Sequence, residues 1–280
     1  MIDFTKYQAA GNAYTILHKD GLTLSCEQAS TMCQSVYGVG GDGVICWRSG
    51  SPDAVGMTRR DHFHASIFNP DGSQAEKSGN GLRILATYLF NSVCPDLNKI
   101  SIFTSGIEVK ATLSDNETIL LEMGQVVASS DLKSLGKRQE FYPGHELHTD
   151  IGNITGYPVS IGNPHFVVFS EKVTAENVQK WGPTIENHPF FSNRTNVQFA
   201  RVIDEKHIAA EIWERGAGYT LSSGSSSCAI VAVAHKLGLC GRSVTVSMPG
   251  GELTVQIRKD NIVLLTGPVN KTVEGVFKLV

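Results

Sequence analysis

The chain of 280 residues lacks several features that would narrow its function at once. No apolar run approaches the roughly 20 residues needed to span a bilayer, which excludes a transmembrane helix. There is no surplus of basic charge: 24 Lys and Arg stand against 27 Asp and Glu, for a formal net charge of −3. That balance argues against nucleic acid or an anionic membrane as the main partner, because both call for clustered cations. Cys26, Cys33, Cys46, Cys94, Cys228 and Cys240 include no C-x-x-C pair, and no signal-peptide pattern is present. They are expected to be reduced, mostly buried thiols of a cytoplasmic protein. His62, His64, His145, His148, His188, His207 and His235 are scattered, so they read as solvated or structural residues and no metal is expected.

What the chain does have is an internal repeat. Ala10-Gly11-Asn12-Ala13-Tyr14-Thr15-Ile16-Leu17 recurs as Ile161-Gly162-Asn163-Pro164-His165-Phe166-Val167-Val168. Ser78-Gly79-Asn80-Gly81-Leu82-Arg83 recurs more loosely as Ser223-Gly224-Ser225-Ser226-Ser227-Cys228. Asn12 and Ser78 are 66 residues apart, and Asn163 and Ser223 are 60 apart. A third pair, Glu108 to Gly124 and Glu252 to Gly267, follows in the same order. Three ordered matches at similar separations point to two copies of one domain, and the length suits two domains. The expected boundaries are 1–125, with the strand 268–280 as a possible addition, and 126–267. The polar Ser129-Ser130-Asp131 and Lys137-Arg138-Gln139-Glu140 lie in the expected join near 125–155.

Met1–Tyr7 and Tyr14–His18 read as strands around a Gly11-Asn12 turn, Cys26–Val36 as a short helix, and Val44–Trp47 and His64–Asn69 as strands. Asn69-Pro70-Asp71-Gly72 is a turn signal. Gly81–Phe90 carries Leu82, Leu85, Ala86 and Leu89 at helical spacing, and Cys228–Leu239 is apolar nearly all round. The fold class that follows is α+β: two pseudo-symmetric domains, each a central helix wrapped by mostly antiparallel sheet.

The chemistry concentrates before those two buried helices. A helix's first turn leaves backbone N–H groups outside its own ladder, and adjacent glycines let an anion approach them. Ser78-Gly79-Asn80-Gly81 and Ser223-Gly224-Ser225-Ser226 therefore read as two anion sites which, facing each other across a cleft, could share one carboxylate. Ser78 and Ser223 would then flank the carbon bearing it. Capping alone explains one Ser-Gly before a helix; the repetition favours a ligand. Gly38-Val39-Gly40-Gly41-Asp42-Gly43 lacks the glycine spacing and context of a dinucleotide fingerprint and reads as a tight loop closing over a cleft. Glu214-Arg215, followed by Gly216-Ala217-Gly218, lies just before the second Ser-Gly. An exposed ion pair contributes little, whereas an Arg fork suits a second carboxylate.

With these residues in view, the chain resembles the diaminopimelate epimerases. The resemblance runs over nearly the whole length, through Gly11-Asn12, Gly40-Gly41-Asp42-Gly43, Phe68-Asn69-Pro70-Asp71-Gly72-Ser73, Ser78-Gly79-Asn80-Gly81-Leu82-Arg83, Gly162-Asn163-Pro164-His165, Thr195-Asn196-Val197, Glu214-Arg215-Gly216-Ala217-Gly218 and Met248-Pro249-Gly250-Gly251. It implies two pseudo-symmetric domains and inversion of one α-carbon of diaminopimelate without metal, pyridoxal phosphate or other cofactor, a step of lysine biosynthesis. It further implies that Asn12, Asn69, Asn163, Asn196 and Arg215 hold the distal end of a small amino-acid substrate. Gly79, Asn80, Gly224 and Ser225 would offer N–H groups to the reacting carboxylate, and His165 and Glu214 would be catalytic residues that orient the reacting amino group and assist the proton-transfer residues Ser78 and Ser223. A homodimer is compatible with the resemblance. Asn12 and Asn69 also suit turns, and His165 suits a hydrogen-bonded core.

The chain departs from the family where it matters most. Both proton-transfer positions, cysteine in the family, are serine here: Ser78 and Ser223. Tyr219 stands for an acidic residue and Ser226 for a usual glycine. Cys228 lies one turn into its helix and reads as packing. A hydroxyl is a far weaker acid than a thiol, so the family mechanism cannot run unchanged. Three explanations stay open: serines introduced to trap substrate, a natural branch using polarised hydroxyls on this or a related amino acid, and an amino-acid-binding protein without turnover. A racemase, isomerase or dehydratase of another amino or hydroxy acid is the rival within the same fold.

Overall fold

A computed structural model describes residues 1–50, 60–114, 118–129 and 144–279. The chain divides into two compact units, Met1–Glu122 with Thr266–Val280, and Met123–Leu265. The first unit contains strands β1 (Ile2–Ala9), β2 (Asn12–Leu17), β3 (Gly43–Ser49), β4 (His62–Phe68), β5 (Lys99–Thr104), β6 (Ile107–Leu113) and β7 (Ile119–Gly124). Its helices are α1 (Cys26–Cys33) and α2 (Gly79–Tyr88). The second unit contains β8 (Val127–Ala128), β9 (His145–Thr149), β10 (Gly152–Ser160), β11 (Pro164–Phe169), β12 (Asn196–Asp204), β13 (His207–Glu214), β14 (Gly218–Thr220), β15 (Ser243–Met248), β16 (Gly251–Ile257) and β17 (Val263–Thr266), with helices α3 (Ala175–Glu186) and α4 (Gly224–Lys236).

The duplication extends to strand pairing. In the first unit β1–β2 is antiparallel, β2–β3 parallel, β3–β4 antiparallel, β4–β5 parallel and β5–β6 antiparallel. The second unit repeats the series as β10–β11, β11–β12, β12–β13, β13–β15 and β15–β16. Parallel neighbours require a long crossover. Helices fill those crossovers: α1 and α3 occupy the first in each unit, α2 and α4 the second. The fold is thus α+β. Strand β18 (Asn270–Phe277) runs antiparallel to β1, so a segment that follows the second unit in sequence completes the sheet of the first.

Both central helices are buried by composition. In α2 every residue except Thr87 is buried, and in α4 the run Gly224–Ala234 is buried without interruption. Such all-round burial is the mark of a helix enclosed by its own domain. In the first unit Phe4, Leu17, Met32, Val44 and Phe68 form a cluster under α1. In the second, Phe166, Val178, Ile185, Val197 and Phe199 do the same under α3.

Three helix expectations need correction. The helix expected at 26–36 stops at Cys33, because Gln34 is extended and the glycine loop folds back on the helix end: Val39 and Gly40 both donate to Met32 O, at 2.9 and 3.0 Å. A side chain at Gly38 would lie 2.2 Å from Thr31 O, so that return is reserved for glycine. The helix expected from Cys228 begins at Gly224, and the one expected over Gly81–Phe90 begins at Gly79 and continues as a π-helical turn, Leu89–Val93. The expected join at 125–155 contains β8, the strand β9 and the start of β10, with β9 and β10 paired as a hairpin. The remainder of that join, including Ser130-Asp131 and Lys137-Arg138-Gln139-Glu140, lies outside the described residues. Five of the six cysteines are buried and all six are free; burial pushes the Cys33, Cys94 and Cys240 thiols up to about 11 and Cys46 to about 12.

Candidate active site

Both Ser-Gly motifs open a helix in the same way. Ser78 is extended (φ −123°, ψ 113°) and its Oγ accepts from Gly81 N at 3.1 Å; Ser223 (φ −148°, ψ 124°) accepts from Ser226 N at 3.4 Å. Each is therefore an N-cap. The helical ladders start at Leu82 N to Ser78 O and Ser227 N to Ser223 O, at 2.9 and 3.0 Å. The amides of Gly79 and Asn80, and of Gly224 and Ser225, precede those ladders, and the helix dipole adds positive potential there.

In the first unit a buried chain of polar groups runs from α2 to the Asn12 turn. Arg83, fully buried, donates to Gly79 O at 3.3 Å and to Asn80 Oδ1 at 2.7 Å, and Asn80 Nδ2 donates to Asn12 Oδ1 at 3.1 Å. The turn bearing Asn12 depends on Gly11 at φ +85°. Asp42 holds it from the other side, its carboxylate accepting from Ala13 N and its own N–H donating to Ala13 O, both at 2.7 Å. The glycine loop is thus a packing device that anchors the Asn12 turn. Tyr14, two residues beyond Asn12, places its hydroxyl 3.1 Å from Ser78 Oγ. Asn69 uses its side chain locally, donating to Ser73 Oγ at 3.0 Å.

The second unit builds a denser network. His165 is 1% exposed and its Nε2 donates to Asn163 Oδ1 at 3.0 Å, while Gln198 Nε2 donates to His165 Nδ1 at 2.9 Å and to Ser226 Oγ at 3.0 Å. Asn196 lies beside His165 across the parallel β11–β12 pair, donates to Pro164 O at 2.8 Å and accepts from Arg215 N at 3.0 Å. Arg215 also donates through Nη1 to Asn193 O at 3.1 Å. The Glu214–Gly218 turn, with Gly216 and Gly218 at positive φ, is tied down by Glu186 of α3. That buried carboxylate accepts from Gly216 N at 2.9 Å, Trp213 Nε1 at 2.7 Å and Arg194 Nη1 at 2.9 Å. Ser223 and Ser225 hydroxyls stand 3.5 Å apart. Tyr219 donates to Glu211 at 2.8 Å; burial first, and then that carboxylate, raise its phenol to about 12.

The structure therefore connects Asn12 to Asn80, Asn163 to His165, and Asn196 to Arg215. It adds Tyr14, Arg83, Gln198 and Glu186, none of which was singled out by its role in the sequence motifs. Among the described residues, no cluster of three metal-ligating side chains occurs and no helix is long and apolar enough to cross a membrane.

The duplicated α+β fold is shared with solved structures that include a racemase and an epimerase. A probable proline racemase from Agrobacterium radiobacter K84 matches with a TM-score of 0.71 at 14% identity, covering 100% of this chain and 93% of that one. A hydroxyproline epimerase from Agrobacterium vitis matches with a TM-score of 0.70, also at 14% identity, over 98% and 91% of the two chains. These share the fold. In sequence, the family model for diaminopimelate epimerase matches residues 4–129 and 157–272. Diaminopimelate epimerase 2 of Nostoc sp. (strain PCC 7120) is 42% identical over 97% of this chain and 94% of its own length. Diaminopimelate epimerase of Microcystis aeruginosa is 34% identical over 99% of both. The chain belongs to the diaminopimelate epimerase family, a family of isomerases.

Proposed function

We propose that this protein inverts an α-carbon of diaminopimelate, interconverting the LL and meso forms in lysine biosynthesis, by proton transfer from one face and to the other without a cofactor. The observation carrying this reading is the pair of N-cap serines, each at the entry of a buried helix whose first amides stand outside the ladder, at equivalent points of a duplicated unit.

In this reading the substrate's reacting carboxylate binds the N–H groups of Gly79, Asn80, Gly224 and Ser225. Charge developing on the carboxylate as the α-proton leaves is stabilised by donors already in place, which is where most of the rate gain in such reactions arises. Ser78 and Ser223 serve opposite faces of the carbon. The C–H electron pair remains on the substrate and spreads into the carboxylate, one hydroxyl group takes the proton, and the other returns one. His165 and Glu214 orient the amino group. Asn12, Asn69, Asn163 and Asn196 hold the distal amino-acid end, with Arg215 on its carboxylate. Family membership and the shared geometry of the two caps support this reading.

A second reading, an amino-acid-binding protein without turnover, draws on one observation: both serine oxygens already accept an amide hydrogen bond as caps. Solvent deuterium exchange at the α-carbon of LL- and meso-diaminopimelate separates the two. Exchange with inversion establishes the epimerase; saturable binding with no exchange establishes the binder.

A further inference from the structure

We propose that Tyr14 acts through Ser78 as its proton-relay partner, from the position in the first unit that His165 occupies in the second. The inference rests on the epimerase reading and extends it to a residue outside the family's cysteine chemistry.

Two independent observations carry it. The first is contact: the Tyr14 hydroxyl lies 3.1 Å from Ser78 Oγ, although 64 residues separate them in the chain. The second is equivalence: in the internal repeat Asn12-Ala13-Tyr14 matches Asn163-Pro164-His165, so Tyr14 and His165 are the same position of the duplicated unit. Each lies on the strand that pairs in parallel with the next, β2 with β3 and β11 with β12. His165 is buried in a polar network that leads through Gln198 to Ser226 in the first turn of α4. Tyr14 reaches the cap of α2 directly.

Its position is also enforced. Tyr14 is 7% exposed, and a side chain on Gly43 would lie 2.5 Å from Tyr14 Cε1, so the ring takes the space that glycine leaves open. Ser78 Oγ meanwhile accepts from Gly81 N. An amide donor on one side and a phenol on the other form a setting in which a serine oxygen can pass a proton without carrying the resulting charge itself. An unperturbed phenol titrates near pH 10, far below an aliphatic alcohol.

The relay balances in both directions. When the α-proton leaves toward Ser78, the C–H bond breaks and its electron pair stays on the substrate. Ser78 Oγ gains that proton while its own hydroxyl proton crosses to Tyr14, which enters the step as phenolate. In the return direction the Ser78 hydroxyl proton forms the new C–H bond, the Tyr14 proton replaces it on Oγ, and Tyr14 is left as phenolate.

The test is a cycle of Tyr14→Phe and Ser78→Cys, read as α-deuterium incorporation into LL- and meso-diaminopimelate. In the serine protein Tyr14→Phe is expected to slow exchange about 100-fold, the lower range for general acid–base contributions. A thiol carries its own proton, so in the Ser78→Cys background the factor is expected to shrink at least to about a tenth of that. Equal losses in both backgrounds would make Tyr14 a structural residue and overturn the relay. Absence of exchange in the unmodified protein overturns the epimerase reading together with the relay, whereas exchange undiminished in Tyr14→Phe overturns the relay alone. In a separate measurement that needs no turnover, tyrosine labelled at Cζ should show one resonance that is lost in Tyr14→Phe and displaced in Ser78→Ala. A Tyr14 resonance unmoved by Ser78→Ala removes the contact on which the relay depends.

Discussion

Gln198 Nε2 lies 2.9 Å from His165 Nδ1, inside a network in which Gln198 is fully buried. An amide nitrogen only donates, so Nδ1 is the acceptor and the ring proton resides on Nε2, where Asn163 Oδ1 receives it. Two separate amides thus select one neutral tautomer. The Gln198 Oε1 atom is buried with no hydrogen-bond partner among the described residues. The expected nitrogen NMR spectrum of His165 has a bare Nδ1 and a protonated Nε2. Gln198→Glu presents an acceptor to Nδ1 and should protonate it, and Gln198→Leu should slow α-proton exchange by about 10-fold or more. A protonated Nδ1 in the unmodified protein would reverse the hydrogen-bond assignment.

Replacing both Ser78 and Ser223 with Cys should create or strongly raise epimerisation of diaminopimelate. A thiol titrates close enough to neutrality to supply thiolate on one face and a proton on the other. Either single replacement should achieve less, because inversion requires a competent partner on each side. Faster exchange and inversion in the double variant than in either single one is the expected pattern, followed by proton NMR in deuterated solvent. A double Cys protein inert toward diaminopimelate, beside a serine protein active on another acid, would transfer the assignment to that acid.

Arg215 is the residue proposed to read the distal carboxylate. Arg215→Ala should weaken binding of diaminopimelate by about 1.5–3 kcal/mol, the range for hydrogen bonds to charged groups, and leave a monocarboxylic amino acid nearly unaffected. Calorimetric titration of both ligands decides the matter. Equal losses would assign Arg215 to the support of its own turn through Asn193 O.

Glu186 gathers Gly216 N, Trp213 Nε1 and Arg194 Nη1 on one buried carboxylate. Glu186→Ala removes the shared acceptor of all three donors and leaves a cavity beside Trp213. A loss of about 2–3 kcal/mol in urea unfolding is expected, together with weaker ligand binding, since the turn carrying Glu214 and Arg215 loses its anchor. Unchanged stability would show that solvent replaces the carboxylate.

The parts of the fold legible in the sequence are those where one local signal suffices. The apolar surround of residues 228–239 marks a buried helix, and the repeated Gly-Asn and Ser-Gly pairs mark equivalent turns and caps. Element ends set by distant backbone were not legible. Cys33 ends α1 only because Gly38–Gly40 return to its carbonyls, and nothing within 26–36 signals that. The same holds in the candidate site. Asn12, Asn163 and Asn196 belong to recognisable motifs, but the groups that fix them are remote: Asn80 comes 68 residues after Asn12, and Gln198 comes 33 after His165. Gln198 sits in β12 with the same-face residues Asn196 and Ala200, a pattern that gives no hint of its histidine partner. Glu186 belongs to none of the sequence motifs, and only the fold brings Trp213 and Gly216 to it.

The pairing of β18 with β1 has a consequence for how the chain matures on the ribosome. The strands β8 to β17 lie within one contiguous stretch, Val127–Thr266, so that half can assemble as soon as it has emerged. The first half, although translated earlier, keeps one edge of β1 bare until residues 270–277 are released, with unsatisfied backbone groups exposed to other nascent chains. The half made first is therefore the half finished last.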